Sequence, residues 1–337
     1  MKRDILASVC NLLGFTRFLE ILPRRNCLVC LNYHRIGISN HVSDPGLFSS
    51  SVEQFEEQVR FIKKRYAIVS LEEATEFIKH PSRPGTTCVL LTFDDGYLDN
   101  YQIAYPILRS QGVSATFFLV SSFVGNNKLP WWDLIAWILG RTNIKSFNVD
   151  YPIKTHINME ENGYEENLRT LLKNYKSYQN QDSNKFIKCL REACHVYDDP
   201  SSTNRLFMNW DEVREIRRGG MCIGSHTHSH EILAKLPLKK QVEEIAISKA
   251  IIEEKLHERV NALAYPNGDR SCFSVDTYKA LHECGYKIAF SYYGGVNLPG
   301  KTSAFDVRRM AIESNMPINN IRLSIITSAQ SGRDVSL

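Results

Sequence analysis

The chain has 337 residues, 43% hydrophobic and 23% charged, which is ordinary globular composition and enough for one large domain or two of usual size. The net charge of +4 is small, and the basic pairs Arg24-Arg25, Arg217-Arg218 and Arg308-Arg309 are dispersed, which argues against a nucleic-acid partner. Nine cysteines without dense spacing point to a reducing compartment rather than a secreted disulfide scaffold.

Residues 1–26 read as an amphipathic helix. Ile5, Leu6, Val9, Leu12, Leu13 and Leu19 form its apolar side, suited to docking on the domain or to peripheral contact with a membrane surface. Arg17 and Glu20 interrupt any stretch long enough to cross a bilayer, and no small-residue cleavage site follows. The expectation is a cytoplasmic protein, with the inner membrane face as its peripheral contact.

Cys27 to Tyr33 is apolar enough for a buried strand, and it runs into His34. Cys27 and Cys30 have the spacing of a zinc or redox pair, but no second pair follows, so both read as buried strand residues. A helix is predicted over 51–66, a short strand over 67–70 and a helix over 71–79, stopped by the turn at 81–85.

The next strand, Val89 to Phe93, leads directly into Asp94-Asp95-Gly96. Two adjacent carboxylates at the end of a buried strand repel each other, and burying either costs several kcal/mol unless a cation or hydrogen bonds compensate. A bound metal would resolve the conflict. A helix at 101–110 and a strand at 115–120 continue a strand-helix alternation that predicts parallel βα units, whose strand carboxyl ends face the ligand. Asp99 reads as a helix N-cap or a solvated charge.

From about 125 to 207 the alternation stops. Trp131, Trp132 and Trp137 lie in a compact apolar helix and read as packing rather than as a sugar platform; helices follow near 165–178 and 185–196. This stretch is expected to be a largely helical insertion. Alternation returns with a helix at 210–218 and a short strand ending at His226-Thr227-His228-Ser229-His230. A helix at 237–257, a strand at 260–264, a helix at 273–284, strands at 286–291 and 307–312, and a helix after Pro317 complete the chain. No internal repeat is evident.

His226 and His230, four apart, can aim both imidazoles at one point, and with one aspartate they make a three-ligand set for zinc or a similar divalent ion with positions left open. His228, between them, would point elsewhere. A bound ion acidifies water and polarises a carbonyl oxygen, while the second carboxylate accepts a proton, a combination suited to hydrolysing an amide or ester.

The blocks Thr92-Phe93-Asp94-Asp95-Gly96 and His226-Thr227-His228-Ser229-His230, in this order and each after a strand, resemble the first two motifs of the polysaccharide deacetylases, carbohydrate esterase family 4. The resemblance covers roughly 28–312. It implies an α/β fold, a distorted (β/α) barrel of seven to eight strands over 27–325, interrupted by the insertion. It implies Asp94 as catalytic base and Asp95, His226 and His230 as ligands of a divalent metal, zinc foremost, with cobalt and nickel as alternatives. Ala264-Tyr265-Pro266-Asn267-Gly268 resembles the third motif, in which a tyrosine main-chain amide holds the oxyanion, and this places Tyr265 in the site.

The arginine usual in that third motif is missing, as are the Asp and Trp of the fourth and the histidine acid of the fifth. His34, whose Tyr33-His34-Arg35 context resembles that of a subgroup of these enzymes, stands as the substitute acid, and Arg308 or Arg309 as the residue orienting Asp94. The implied activity is metal-dependent removal of N-acetyl groups from acetamido sugars of a polysaccharide, a glycolipid or a lipid-linked saccharide precursor. Hydrolysis of another amide (a formamide or cyclic ureide) and glycan binding without catalysis are the alternatives.

Overall fold

The computed structural model describes residues 26–37, 45–80, 86–127, 129–178, 182–198, 205–313 and 316–331. Apart from Asn26, the expected helix at 1–26 lies outside them. The chain forms two compact units, one built from residues up to 38, 47–126 and 207 onward, the other from 39–46 and 127–206.

The first unit opens with β1 (Cys27–Tyr33), β2 (Arg35–Ile36) and β3 (Phe48–Ser50), followed by α1 (Val52–Arg65), β4 (Ala67–Ile68), α2 (Leu71–Lys79) and β5 (Thr87–Phe93). A π-helical turn, Asn100–Ala104, leads into α3 (Tyr105–Ser110) and then β6 (Thr116–Leu119). The second unit holds α4 (Trp131–Arg141), β7 (Ser146–Val149), β8 (Thr155–Asn158), α5 (Met159–Ser177) and α6 (Ser183–Cys194). The first unit resumes with α7 (Trp210–Arg218), β9 (Cys222–Ser225), α8 (Leu238–Leu256), β10 (Ala262–Ala264), α9 (Val275–Glu283), β11 (Ile288–Ser291), β12 (Val307–Ala311) and α10 (Ile318–Ser331).

Seven strands close a parallel barrel in the order β1-β12-β11-β10-β9-β6-β5, with β5 pairing back onto β1 and β4 added outside β5. β5 runs beside β1 along its whole length, Cys27 against Thr87 through Tyr33 against Phe93. Period-two alternation then splits the strands between two cores. Leu28, Cys30, Cys88, Leu90, Phe118, Cys222, Ala262, Ala264, Phe290 and Val307 fill the barrel, and Leu71, Ala74, Phe77 and Ile78 of α2 join that cluster. Val29, Leu31, Tyr33, Val89, Leu91, Phe93, Phe117, Leu119, Leu263 and Met310 face outward to the surrounding helices. Cys27 belongs to the outer core and Cys30 to the inner one, so their side chains cannot meet as a metal or redox pair.

Helix starts follow local chemistry. Ser51 with Gln54, Ser70 with Glu73 and Asn209 with Glu212 form capping boxes in front of α1, α2 and α7. Three features differ from the sequence expectation. The first turn of the 101–110 helix is π, a further helical turn at 159–162 precedes the break at Gly163 (φ 69°) in α5, and the insertion carries an antiparallel β7–β8 hairpin. Strict alternation of Phe147 and Val149 with exposed neighbours is the period-two signal for that hairpin. Within the second unit, Trp132 and Trp137 are buried and Trp131 packs on Tyr175 at 4.6 Å, so these rings are core.

Candidate metal and proton-transfer site

At the carboxyl end of β5 the inward register of Cys88, Leu90 and Thr92 continues to Asp94. Simple alternation would send Asp95 to the opposite face. Instead Asp95 adopts φ 73° and Gly96 φ 81°, a left-handed turn that is rare for a non-glycine residue and returns the second carboxylate to the barrel end. His226 continues the inward register of Cys222 and Gly224 in the same way, and Thr227 (φ 65°) and His230 (φ 62°) curl the following loop so that the second histidine comes back.

The result is a convergent donor set. His226 Nε2 lies 3.5 Å and His230 Nε2 3.4 Å from Asp95 Oδ1, and one ligand atom from each residue falls within 4.8 Å of the others. His226 Nδ1–H donates to Ala264 O at 2.8 Å, which fixes the tautomer and leaves the Nε2 lone pair for a cation. Burial outweighs the opposing pull of Asp94 and keeps the His226 pKa below its ordinary value, favouring the neutral, ligating form. Two imidazole nitrogens and one carboxylate oxygen, all buried, suit a zinc-like ion with further positions open. His228 stands apart from this set, its Nδ1 paired with Ser121 Oγ at 2.9 Å.

Asp94 sits 3.9 Å from His226 Nε2 through Oδ2. Its carboxylate is gripped by Arg309 of β12, two strands away across β1, whose Nη1 and Nη2 donate to Oδ1 and Oδ2 at 2.7 and 2.9 Å. Arg309 is fully buried and shares the inward face of β12 with Val307, whereas Arg308 occupies the other face. Of the two candidates for orienting Asp94, the structure therefore selects Arg309. Burial by itself would raise the Asp94 pKa. The Arg309 guanidinium, His226 and the hydrogen bonds outweigh it and hold the carboxyl well below the usual range.

Asn32 completes this grip and was missed in the sequence. Its Nδ2 donates to Asp94 Oδ2 at 3.0 Å, and its Oδ1 accepts from Arg309 Nη1 and Thr92 Oγ1, each at 2.6 Å. The available signal was a fully polar side chain at an inward position of an otherwise apolar strand.

His34, half-buried just past β1, packs edge-on against Tyr292 at 5.5 Å. Burial pulls its pKa down to about 4 against the opposing effects of Asp94 and Glu313, which places the ring in the electrostatic field of the same cluster. Two sequence readings need correction. The Tyr265 main-chain amide donates to Phe290 O at 3.0 Å within the β10–β11 ladder, so it is not available to an oxyanion; the Tyr265 ring faces the outer core, stacked on Phe273. Asp99 occupies the N-cap position of the π turn, but its side chain makes no capping hydrogen bond there and is not solvated: it is about nine-tenths buried and paired with Arg35 Nε at 2.9 Å.

Comparison with known proteins agrees with this geometry. A family model described as polysaccharide deacetylase matches residues 82–289. YxkH of Bacillus subtilis is 23% identical over 262 residues, 77% of this chain, and the chain spans 63% of that relative's length. Poly-beta-1,6-N-acetyl-D-glucosamine N-deacetylase of Staphylococcus aureus is 27% identical over 214 residues, covering 60% of this chain and 72% of that one. Among solved structures, the Streptococcus pyogenes deacetylase PplD superposes with a TM-score of 0.58 at 17% identity, over 89% of this chain and 98% of that one. IcaB from Ammonifex degensii gives 0.58 at 20% identity, over 90% and 97%. With the matched segment covering more than half of the sequence, including both aspartates and both histidines of the site, the chain belongs to the polysaccharide deacetylase family.

Proposed function

We propose that this protein removes N-acetyl groups from the acetamido sugars of a glycan or lipid-linked saccharide and does so with a divalent cation, zinc foremost, held by Asp95, His226 and His230. The observation that carries the reading is the pairing of that donor set with an ionised Asp94 clamped by Arg309, 3.9 Å from His226. The N-deacetylase named among the relatives supports the substrate class. When bound, the cation would acidify a water and polarise the acetyl carbonyl.

The residues divide the remaining work. Asp94, kept charged by Arg309, accepts a proton from the attacking water. Water oxygen adds to the acetyl carbon, the C–N bond breaks, and the leaving nitrogen needs one proton, which His34, held as the neutral ring by burial, relays from Asp94. Acetic acid and a free amine result, which ionise to acetate and an ammonium ion, and Asp94 and His34 end in the protonation states in which they began. With the Tyr265 amide engaged in the sheet, we assign the donor to the carbonyl oxygen to the turn after β10, where Asn267 Nδ2 is buried without a hydrogen-bond partner among the described residues. The eight described cysteines are thiols, and a reducing, cytoplasmic location is the corresponding proposal. Among the described residues no helix is long and apolar enough to cross a membrane.

The test is acetate release from β-1,6-linked N-acetylglucosamine oligosaccharides and lipid-linked acetamido sugars, using protein stripped of metal and reloaded with zinc, cobalt or nickel. Metal-restored release is expected, with Asp94→Asn abolishing turnover while retaining the ion and His226→Ala losing both. Silence with one ion bound per chain would transfer the reading to another amide or to glycan binding alone.

A further inference from the structure

His34 is the one residue between β1 and β2, so the direction of its ring depends on how the two flanking peptide groups are held. Both are pinned. The His34 N–H donates to Ser49 Oγ at 3.0 Å, and Asn100 Nδ2 donates to the His34 carbonyl at 2.7 Å. Over the next two residues, Asp99 Oδ1 accepts the Ile36 N–H at 3.1 Å and Asn100 Nδ2 at 3.1 Å, while Oδ2 accepts Arg35 Nε at 2.9 Å. The Arg35 guanidinium in turn lies between the rings of Phe48 and Tyr97, 4.4 and 4.7 Å from their centroids.

We propose that Asp99, acting with Arg35 and Asn100, is a positioning residue that holds the His34 segment so that its imidazole faces Asp94. This rests on reading His34 as the proton donor. A buried Arg–Asp pair contributes little net stability, since replacing both partners by well-packed apolar groups is often neutral or stabilising. What the pair supplies is geometry. Asp99 and Asn100 follow Asp94 and Asp95 by five residues on the same loop, and they enter the π turn Asn100–Ala104, a distortion found mostly at functional sites. The loop that presents the base therefore also grips the backbone of the proposed acid, linking the two ends of the proton transfer through one rigid segment.

Leaving-group chemistry separates positioning from general damage. An acetamide nitrogen must be protonated as it departs, whereas the 4-nitrophenolate of 4-nitrophenyl acetate leaves without a proton. In the metal-loaded enzyme, Asp99→Asn keeps an acceptor for Ile36 N–H and removes the charge that Arg35 needs. We expect kcat on a β-1,6-linked N-acetylglucosamine oligosaccharide to fall roughly 10- to 100-fold, a share of the 10²–10⁴-fold typical of acid–base catalysis, with KM and aryl-ester turnover within about twofold. In a His34→Ala background the same change should add less than about twofold. Equal losses on amide and ester, or an undiminished effect without His34, would overturn the proposal. If His34→Ala lowers both substrates alike, the proton-donor reading fails and takes this one with it; if His34→Ala is selective for the amide and Asp99→Asn is not, only the positioning role fails. Should Asp99→Asn lose cooperative unfolding, Ser49→Ala, which removes only the acceptor of the His34 N–H, must show the amide-selective drop, and its absence counts against the proposal.

Discussion

An aspartate buried at the end of a barrel strand keeps its charge only while a cation stays beside it, and for Asp94 that cation is Arg309. Replacing Arg309 by Met leaves the carboxylate with Asn32 as its hydrogen-bond donor, so the variant should lose about 3–5 kcal/mol in urea unfolding and its deacetylase activity with it. Arg309→Lys keeps a charge without the two-pronged grip, and kcat should fall on the order of 10²-fold from misplacement of the base. His34 is sensitive to pH with a defined sign. Folded, it titrates at about 4; unfolded, at about 6.5, so between these values the unfolded chain binds more protons. Its contribution is full above pH 6.5 and is lost as the pH falls to about 4, with an upper limit of roughly 3 kcal/mol. Urea unfolding of metal-free protein at pH 7 and pH 5 should show a smaller difference for His34→Gln than for the parent chain.

Strand parity explains why a close approach in β9 matters to a charge on β12. A Cβ on Gly224 would stand 2.4 Å from Phe118 Cδ1 and 3.2 Å from the Ala262 carbonyl inside the barrel. Phe118 also packs on Phe290 at 5.3 Å and lies 5.5 Å beneath the Arg309 guanidinium. Gly224→Ala should therefore cost about 1–3 kcal/mol by overpacking and lower kcat by displacing Arg309. Phe118→Ala should cost less in urea unfolding in the Gly224→Ala chain than in the parent, because it clears the space the new methyl needs. At this scale much was legible. Apolar runs, helical spacing and turn residues located the strands and helices of the first unit within a few residues. The β2–β3 pair, two and three residues long, carries too little periodicity to be read from the chain alone.

Local chemistry in the sequence determined the alternation of strands and helices and the Asp94, Asp95, His226 and His230 constellation, and the barrel class followed from the family those motifs resemble. These depend on neighbours in the chain: a carboxylate pair after an apolar run, and imidazoles four apart. Closure of β5 onto β1, which sets Asn32 beside Thr92, was decided only by the tertiary structure. So were the choice of Arg309 over Arg308, the engagement of the Tyr265 amide by Phe290 and the burial of Asp99 against Arg35. Each depends on which strand lies alongside and which face of it turns inward, and adjacent residues of one strand point to opposite faces, so a register that no single segment carries determines their partners.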